Sequence, residues 1–230
     1  MESLNIFKQI LAVEKEKDIK RHCLYINVGS NCIMTKEQFK SFWTARYSDT
    51  IPISHSFRHD HSDRWFRIHS LPESKRYPDN AEEWKVLLDR QNTIINDVLG
   101  EKSKVLIVTG DYHFEGHKEQ YPIAGIDSIK TFSFTPLDYI DLHKLSPEEY
   151  DQGQIYRPIF SEGVWRKNEF DIVLRDIAED QLRAFFASID NDCIVAPYDG
   201  GVDFVLKDSE TRDYYKNKYR DWLSDREDGL

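Results

Sequence analysis

NAEEWKVLLDRQNTIINDVLGEKSKVLIVT, residues 80–109, decides how this chain folds. Asn80 followed three residues later by Glu83 is an N-terminal cap signature, because a short polar side chain can accept from a first-turn N–H that has no partner inside the helix. Trp84, Leu87, Leu88, Ile94, Ile95 and Val98 then recur at helical spacing up to Gly100, a residue suited to ending a helix. KVLIVT, residues 104–109, follows at once as a near-continuous apolar run, which is what a strand buried on both faces shows. A long helix feeding such a strand predicts an α/β protein, with α+β as its variant: a mixed central sheet, residues 104–109 near its middle, packed by about four to five helices.

Reading outward, TKEQ at Thr35 is a capping box that starts a helix over 36–47 with Phe39, Phe42 and Trp43 on its apolar face. RWFRIHSL, residues 64–71, alternates as a strand does and puts Arg67 and His69 on one face. A first helix over 2–13 and a strand over 22–28 are expected before these. Beyond residue 109 the pattern weakens. Residues 126–134 are β-prone, Pro136 breaks the run, and 146–158 reads as a polar, proline-containing loop. Residues 170–174 read as a strand, 179–189 as a helix, and 193–197 with 202–206 as strands flanking the turn 198–201. A last helix over 210–223 stacks Tyr215, Tyr219, Trp222 and Leu223 on one side, as core packing.

The chain has 230 residues, 40% of them hydrophobic, and contains no repeat, low-complexity tract or linker, so one domain over 1–230 is expected. No apolar run approaches the roughly 18 residues that span a bilayer, and the N-terminal charges follow a short apolar patch, the reverse of a secretory signal. Cys23, Cys32 and Cys193 are an odd set without CxxC spacing, which predicts free thiols, no zinc knuckle and a cytoplasmic protein without membrane association. Charge is unevenly placed. Residues 1–104 hold 17 lysines and arginines against 15 aspartates and glutamates, net +2, and the rest hold 14 against 26, net −12. An acidic half repels phosphate backbones and attracts cations, which argues against nucleic acid as a partner and makes a basic protein a natural one.

Two polar segments stand out as sites. HSFRHDHSDRWFRIHSLPESKRYPD, residues 55–79, holds four of the eight histidines. His55, His59 and His61 at HxxxHxH spacing could ligate a divalent metal, but a loop fixes no geometry and a solvated polar loop explains the pattern better; no metal or cofactor is expected. His113 and His117, separated by Gly116, carry no site either. Arg67, His69, Ser70, Lys75, Arg76 and Tyr77 form a candidate anion site, since a strand end and a tight loop can converge guanidinium, ammonium and hydroxyl donors on one phosphate or carboxylate. The competing explanation is that Arg67 and Arg76 pair with acids of the C-terminal half. The second segment is Tyr198-Asp199-Gly200-Gly201-Val202-Asp203, whose adjacent glycines mark a turn with positive φ flanked by two carboxylates. Dinucleotide, P-loop, serine-hydrolase, zincin and deaminase signatures are absent from the sequence.

RIHSLPESKRYPDNAEEW together with APYDGGVDFVL and the terminal RDYYKNKYRDWLSDREDGL resembles an uncharacterised bacterial family that shares R-x-H-S-L-P-x-S-K-R-Y and ends in Y-D-G-G-x-D before a W-L-S helix. The C-terminal part is similar to a domain of unknown function with the pattern Y-D-x-R-G-x-D, from which this chain departs by having Gly200 and Gly201 and no arginine. The resemblance implies membership and names no reaction. Two roles fit the sequence. One is a bacterial protein-binding module, such as an immunity protein that neutralises a toxin through its acidic half. The other is an enzyme or ligand-binding protein acting on a small anionic molecule, phosphorylated or carboxylated, at the 67–77 and 198–203 segments. Convergence of those segments in one cleft would favour the second.

Overall fold

A computed structural model describes residues 33–48, 50–116 and 123–224. Contacts divide the chain into two units, residues 1–34 and Thr35–Leu230, and the sheet with its helices belongs to the second. The expected helix at 2–13, the strand at 22–28, Cys23, Cys32 and His117 lie outside the described residues. In chain order the elements are α1 (Lys36–Arg46), α2 (Phe57–Asp60), β1 (Trp65–His69), α3 (Ala81–Leu99), β2 (Lys104–Phe114), β3 (Thr135–Pro136), β4 (Ile140–Asp141), α4 (Leu142–Leu145), β5 (Gln154–Val164), α5 (Asp171–Ala178), β6 (Phe185–Ser188), β7 (Cys193–Tyr198), β8 (Gly201–Val205) and α6 (Ser209–Lys218). The strands form one sheet in the order β1-β8-β7-β6-β2-β5-β3, with β4 also on β5. Every described pairing is antiparallel, so within the broad α/β class the arrangement is α+β.

Residues 80–109 fold as their pattern predicts. Asn80 accepts from the Glu83 N–H at 3.0 Å, α3 buries Leu87, Ile94, Ile95 and Leu99, and Gly100 ends it at φ +84°. β2 lies between β6 and β5 with Leu106, Ile107 and Val108 fully buried, and it runs past Thr109 to Phe114. The Thr35 capping box of α1 is also present, with both reciprocal bonds made. Alternation along the strands separates two apolar layers. Phe66, Ile68, Ile107, Phe186 and Phe204 pack on the face that meets α3 and α5, whereas Phe160 and Phe185 face the α1 side, where Phe160 stacks on Phe39 and Phe185 meets Trp43 at a tilt and Phe57 edge to face. Cys193 is a buried free thiol whose pKa burial pushes up to about 12. Among the described residues no helix is long and apolar enough to cross a membrane.

Several expectations are corrected. Residues 170–174, read as a strand, begin α5, while 179–189, read as a helix, contain β6. Both runs are too short to display a period. FFAS is buried on both faces between β2 and β7, and DIVLRDIA turns Val173, Leu174 and Ile177 inward while leaving Ile172 67% exposed. β5 occupies 154–164, overlapping the loop expected up to 158: Pro158 stands within the ladder opposite Gly110 and its carbonyl accepts from Leu137 N–H at 2.9 Å. Residues 126–134 form a 3-10 turn (Asp127–Ile129) and irregular chain that packs Ile129 and Phe132 on the core. Finally, α6 stops at Lys218 and a 3-10 turn (Arg220–Trp222) follows, so Tyr219 is buried and Tyr215, Trp222 and Leu223 only partly so.

Candidate functional site

Antiparallel pairing of edge strand β1 with β8 puts Arg67 directly opposite Asp203 and His69 opposite Gly201. The side chains meet as a two-bond pair, Nε to Oδ1 at 2.5 Å and Nη2 to Oδ2 at 2.8 Å, with side-chain exposures of 16% and 9%. The guanidinium also lies over the Tyr198 ring, 4.4 Å from its centroid. Burial works against the charge on Arg67, yet the Asp203 carboxylate outweighs it and the pKa is raised; burial pushes the Tyr198 hydroxyl up to about 12.

The β7–β8 turn brings the second acid into the same region. Buried Asp199 accepts from Arg76 Nε at 2.6 Å and from the Tyr77 hydroxyl at 2.7 Å, both on exposed residues of the loop after β1. Ser70 is sealed inside: its N–H donates to the Gly200 carbonyl at 3.1 Å and its Oγ accepts from Gln91 at 2.9 Å. His69 is buried, with no hydrogen-bond partner for Nε2 among the described residues, and burial, then Arg67 and Arg90, hold its pKa below the usual 6.5. Lys75 does not join them. Glu73 and Ser74, at φ 57° and 55°, turn the loop so that Lys75 bonds Asp79 at 2.8 Å and Glu83 at 2.6 Å beside the start of α3.

The hairpin that the sequence suggests is present, with Asp199-Gly200 as its two-residue loop and Gly201 already paired with Tyr198, but the adjacent glycines do not serve positive φ, since neither adopts it. They supply room. A Cβ on Gly201 would run into the Ile68 carbonyl oxygen across the β1 ladder, and one on Gly200 would meet the Tyr198 ring at 2.9 Å. The two segments therefore converge, and they do so by neutralising one another.

A separate cleft opens where β2 runs on beyond its pairing with β6, which ends at Val108. About 370 Å³ in volume, it is lined by His55, Tyr112, Tyr150, Gln154 and Arg183. His55 Nε2 and the Tyr150 hydroxyl are 2.9 Å apart. Burial, then Arg183, lower the His55 pKa. Burial pushes the Tyr112 hydroxyl up to about 12, in spite of the opposing influence of the Arg183 guanidinium. The three histidines weighed as metal ligands have different neighbours: His55 meets Tyr150, His59 meets Arg58 at 3.0 Å, and His61 is buried with its ring 5.8 Å from that of Tyr47. Tyr112, Tyr150, Gln154 and Arg183 are invisible to a reading of the sequence because they carry no local motif.

Residues 53–227 match the family model for a domain of unknown function, DUF3885. The chain belongs to that family. The match takes in both polar segments, the cleft, every strand of the sheet and the described helices except α1. No curated protein and no solved structure gives a significant match to the chain.

Proposed function

We propose that this DUF3885 protein is a cytoplasmic protein-binding module that presents the acidic surface of its C-terminal half to a basic partner, a role of the kind an immunity protein plays toward a toxin. The observation that carries this reading is the fate of the cations. Arg67 and Arg76 hold Asp203 and Asp199, Arg46 holds Asp192, and Lys36 and Lys40 both hold Asp138, so bases of the N-terminal half are taken up by acids of the other half. Exposed Glu148, Glu149, Asp151, Glu162 and Asp190 have no salt-bridge partner among the described residues. Such a surface favours fast, salt-sensitive association with a cationic protein. Action on a small anion at the 67–77 and 198–203 segments finds less support, because the arginines that would receive the anion already hold carboxylates. Affinity capture with the full chain, compared with a chain carrying Glu148→Lys, Glu149→Lys and Asp151→Lys, tests the reading. A basic protein recovered at low salt, lost at high salt and lost with the reversed charges supports it; recovery indifferent to both salt and charge reversal overturns it.

A further inference from the structure

We propose that the cleft lined by His55, Tyr112, Tyr150, Gln154 and Arg183 binds a small molecule through an anionic carboxylate or phosphate group. Its volume, about 370 Å³, lies at the lower end of the range that small-molecule sites occupy. What distinguishes it from the Arg67–Asp203 junction is the state of its cation. Among the described acids Arg183 approaches Asp180, at 3.6 Å between two exposed side chains, and it lines the cleft together with Tyr112. A guanidinium carries five donors, so donors remain to meet an anion in the cleft.

The neighbouring groups add donors. Tyr112 contributes a hydroxyl, and Gln154, whose amide oxygen accepts from Asp151 N–H, contributes an amide NH₂. One proton of the His55–Tyr150 contact bridges the pair, and the hydroxyl and imidazole share the cleft wall. Packing holds the two tyrosines in place before any ligand arrives. The Tyr112 ring lies 4.7 Å from that of Tyr156, Tyr150 packs against the Ile53–Leu142–Tyr156 cluster, and the Arg183 carbonyl is anchored by the Thr109 hydroxyl at 2.7 Å. Prearranged donors spare a ligand the ordering cost that weakens binding to mobile side chains. Of the acids that act on His55, Asp60 is already bonded to the Thr50 hydroxyl, and Glu149 acts on it through space. The cleft is thus rich in donors around one loosely paired cation, which is the chemistry that recognises anionic oxygens.

Calorimetric titration of the full chain with inorganic phosphate, phenyl phosphate, benzoate and uncharged benzyl alcohol tests the assignment. Binding of at least one anion and none of the alcohol is expected, and the ratio between phenyl phosphate and benzoate tells phosphate from carboxylate. Arg183→Gln and Tyr112→Phe should each weaken that binding at least tenfold, since each removes a charge-assisted or hydroxyl contact. Tyr112→Phe keeps the ring on Tyr156 and so serves as the decisive variant if Arg183→Gln fails to fold. The proposal is overturned if no anion binds at millimolar concentration, or if Tyr112→Phe binds as the parent does. Neither outcome touches the protein-binding reading, whose readout is capture of a basic protein.

Discussion

The edge of the sheet at β1 and the cleft beside β2 each hold an arginine close to tyrosines, and the chain treats the two arginines in opposite ways. At the edge, Arg67 is partly buried, lies over Tyr198 and is matched in register by buried Asp203 across a ladder. At the cleft, Arg183 stands at the surface with a long contact to an exposed acid. A charge enclosed by the fold must bring its counterion with it, because an ion left alone in a poorly hydrated site costs several kcal/mol. A charge at the surface carries no such obligation and is free to meet a ligand. Structural and functional charge thus separate by burial and partner more than by residue type.

The largest effect expected from that difference is in stability at the edge. Arg67→Ala leaves the 9%-exposed Asp203 carboxylate without its cation and should cost about 3–5 kcal/mol in urea-induced unfolding. Removing both partners together should cost clearly less than the sum of the two single changes, which a double-mutant cycle reads directly. A cost for Arg67→Ala within error would mean that the pair adds nothing to the fold and would return Arg67 to the ligand-binding candidates.

A middle-sized effect lies at the other end of the same network. Trp222 is half-buried, with the Arg90 guanidinium 5.3 Å from its ring, and Arg90 in turn donates to the His69 carbonyl at 3.3 Å. A fully enclosed tryptophan would lose about 3–5 kcal/mol on truncation. With part of its surface already in water, Trp222→Ala should lose about 2 kcal/mol by the same measurement.

Smaller again is the pH dependence. Burial, reinforced by Arg67 and Arg90, keeps the His69 pKa below 6.5, so the unfolded chain takes up this proton more readily than the folded one. The contribution is complete above pH 6.5 and fades as pH falls through the lower folded-state value. Between pH 7 and 5 the chain should lose stability on this account, and His69→Gln should flatten that part of the profile. His55 is shifted in the same direction by burial and Arg183, so a His55→Gln profile measured alongside separates the two. An unchanged slope in His69→Gln would show that the buried imidazole is not what senses the proton.

How much of this is legible in the sequence depends on the length over which each feature repeats. The helix ending at Leu99 and the strand after it can be read because caps, a helical period sustained over nineteen residues and an unbroken apolar run all agree. α5 and β6 are easily transposed because eight and four residues are too few to tell a period of 3.6 from one of 2. β5 is hidden by Pro158, a residue that ordinarily argues against an inner strand. The 67–77 and 198–203 segments can be seen as sites, and pairing of their arginines with C-terminal acids can be foreseen, but only the β1–β8 register names Asp203 as the partner of Arg67. Of the cleft only His55 draws notice in the sequence, and as a candidate metal ligand. The five cleft residues lie before α2, in β2, in the loop before β5, at the first position of β5 and just before β6, and only the folded sheet brings them to one place.

The smallest expected effect is therefore the one that tells most about the cleft. Arg183→Ala removes a guanidinium whose ionic neighbour among the described residues is an exposed aspartate 3.6 Å away, and exposed pairs of that kind are worth about 0–1 kcal/mol. The backbone contact that anchors this stretch, the Thr109 hydroxyl on the Arg183 carbonyl, survives the substitution. Urea unfolding should accordingly move by no more than about 0.5 kcal/mol, against several for Arg67→Ala. If Arg183→Ala instead destabilised the chain as strongly as Arg67→Ala, the cleft arginine would be structural after all, and the contrast between the two regions would collapse. A small change in stability joined to a large loss of anion binding is the pattern that a surface charge kept for a ligand must produce.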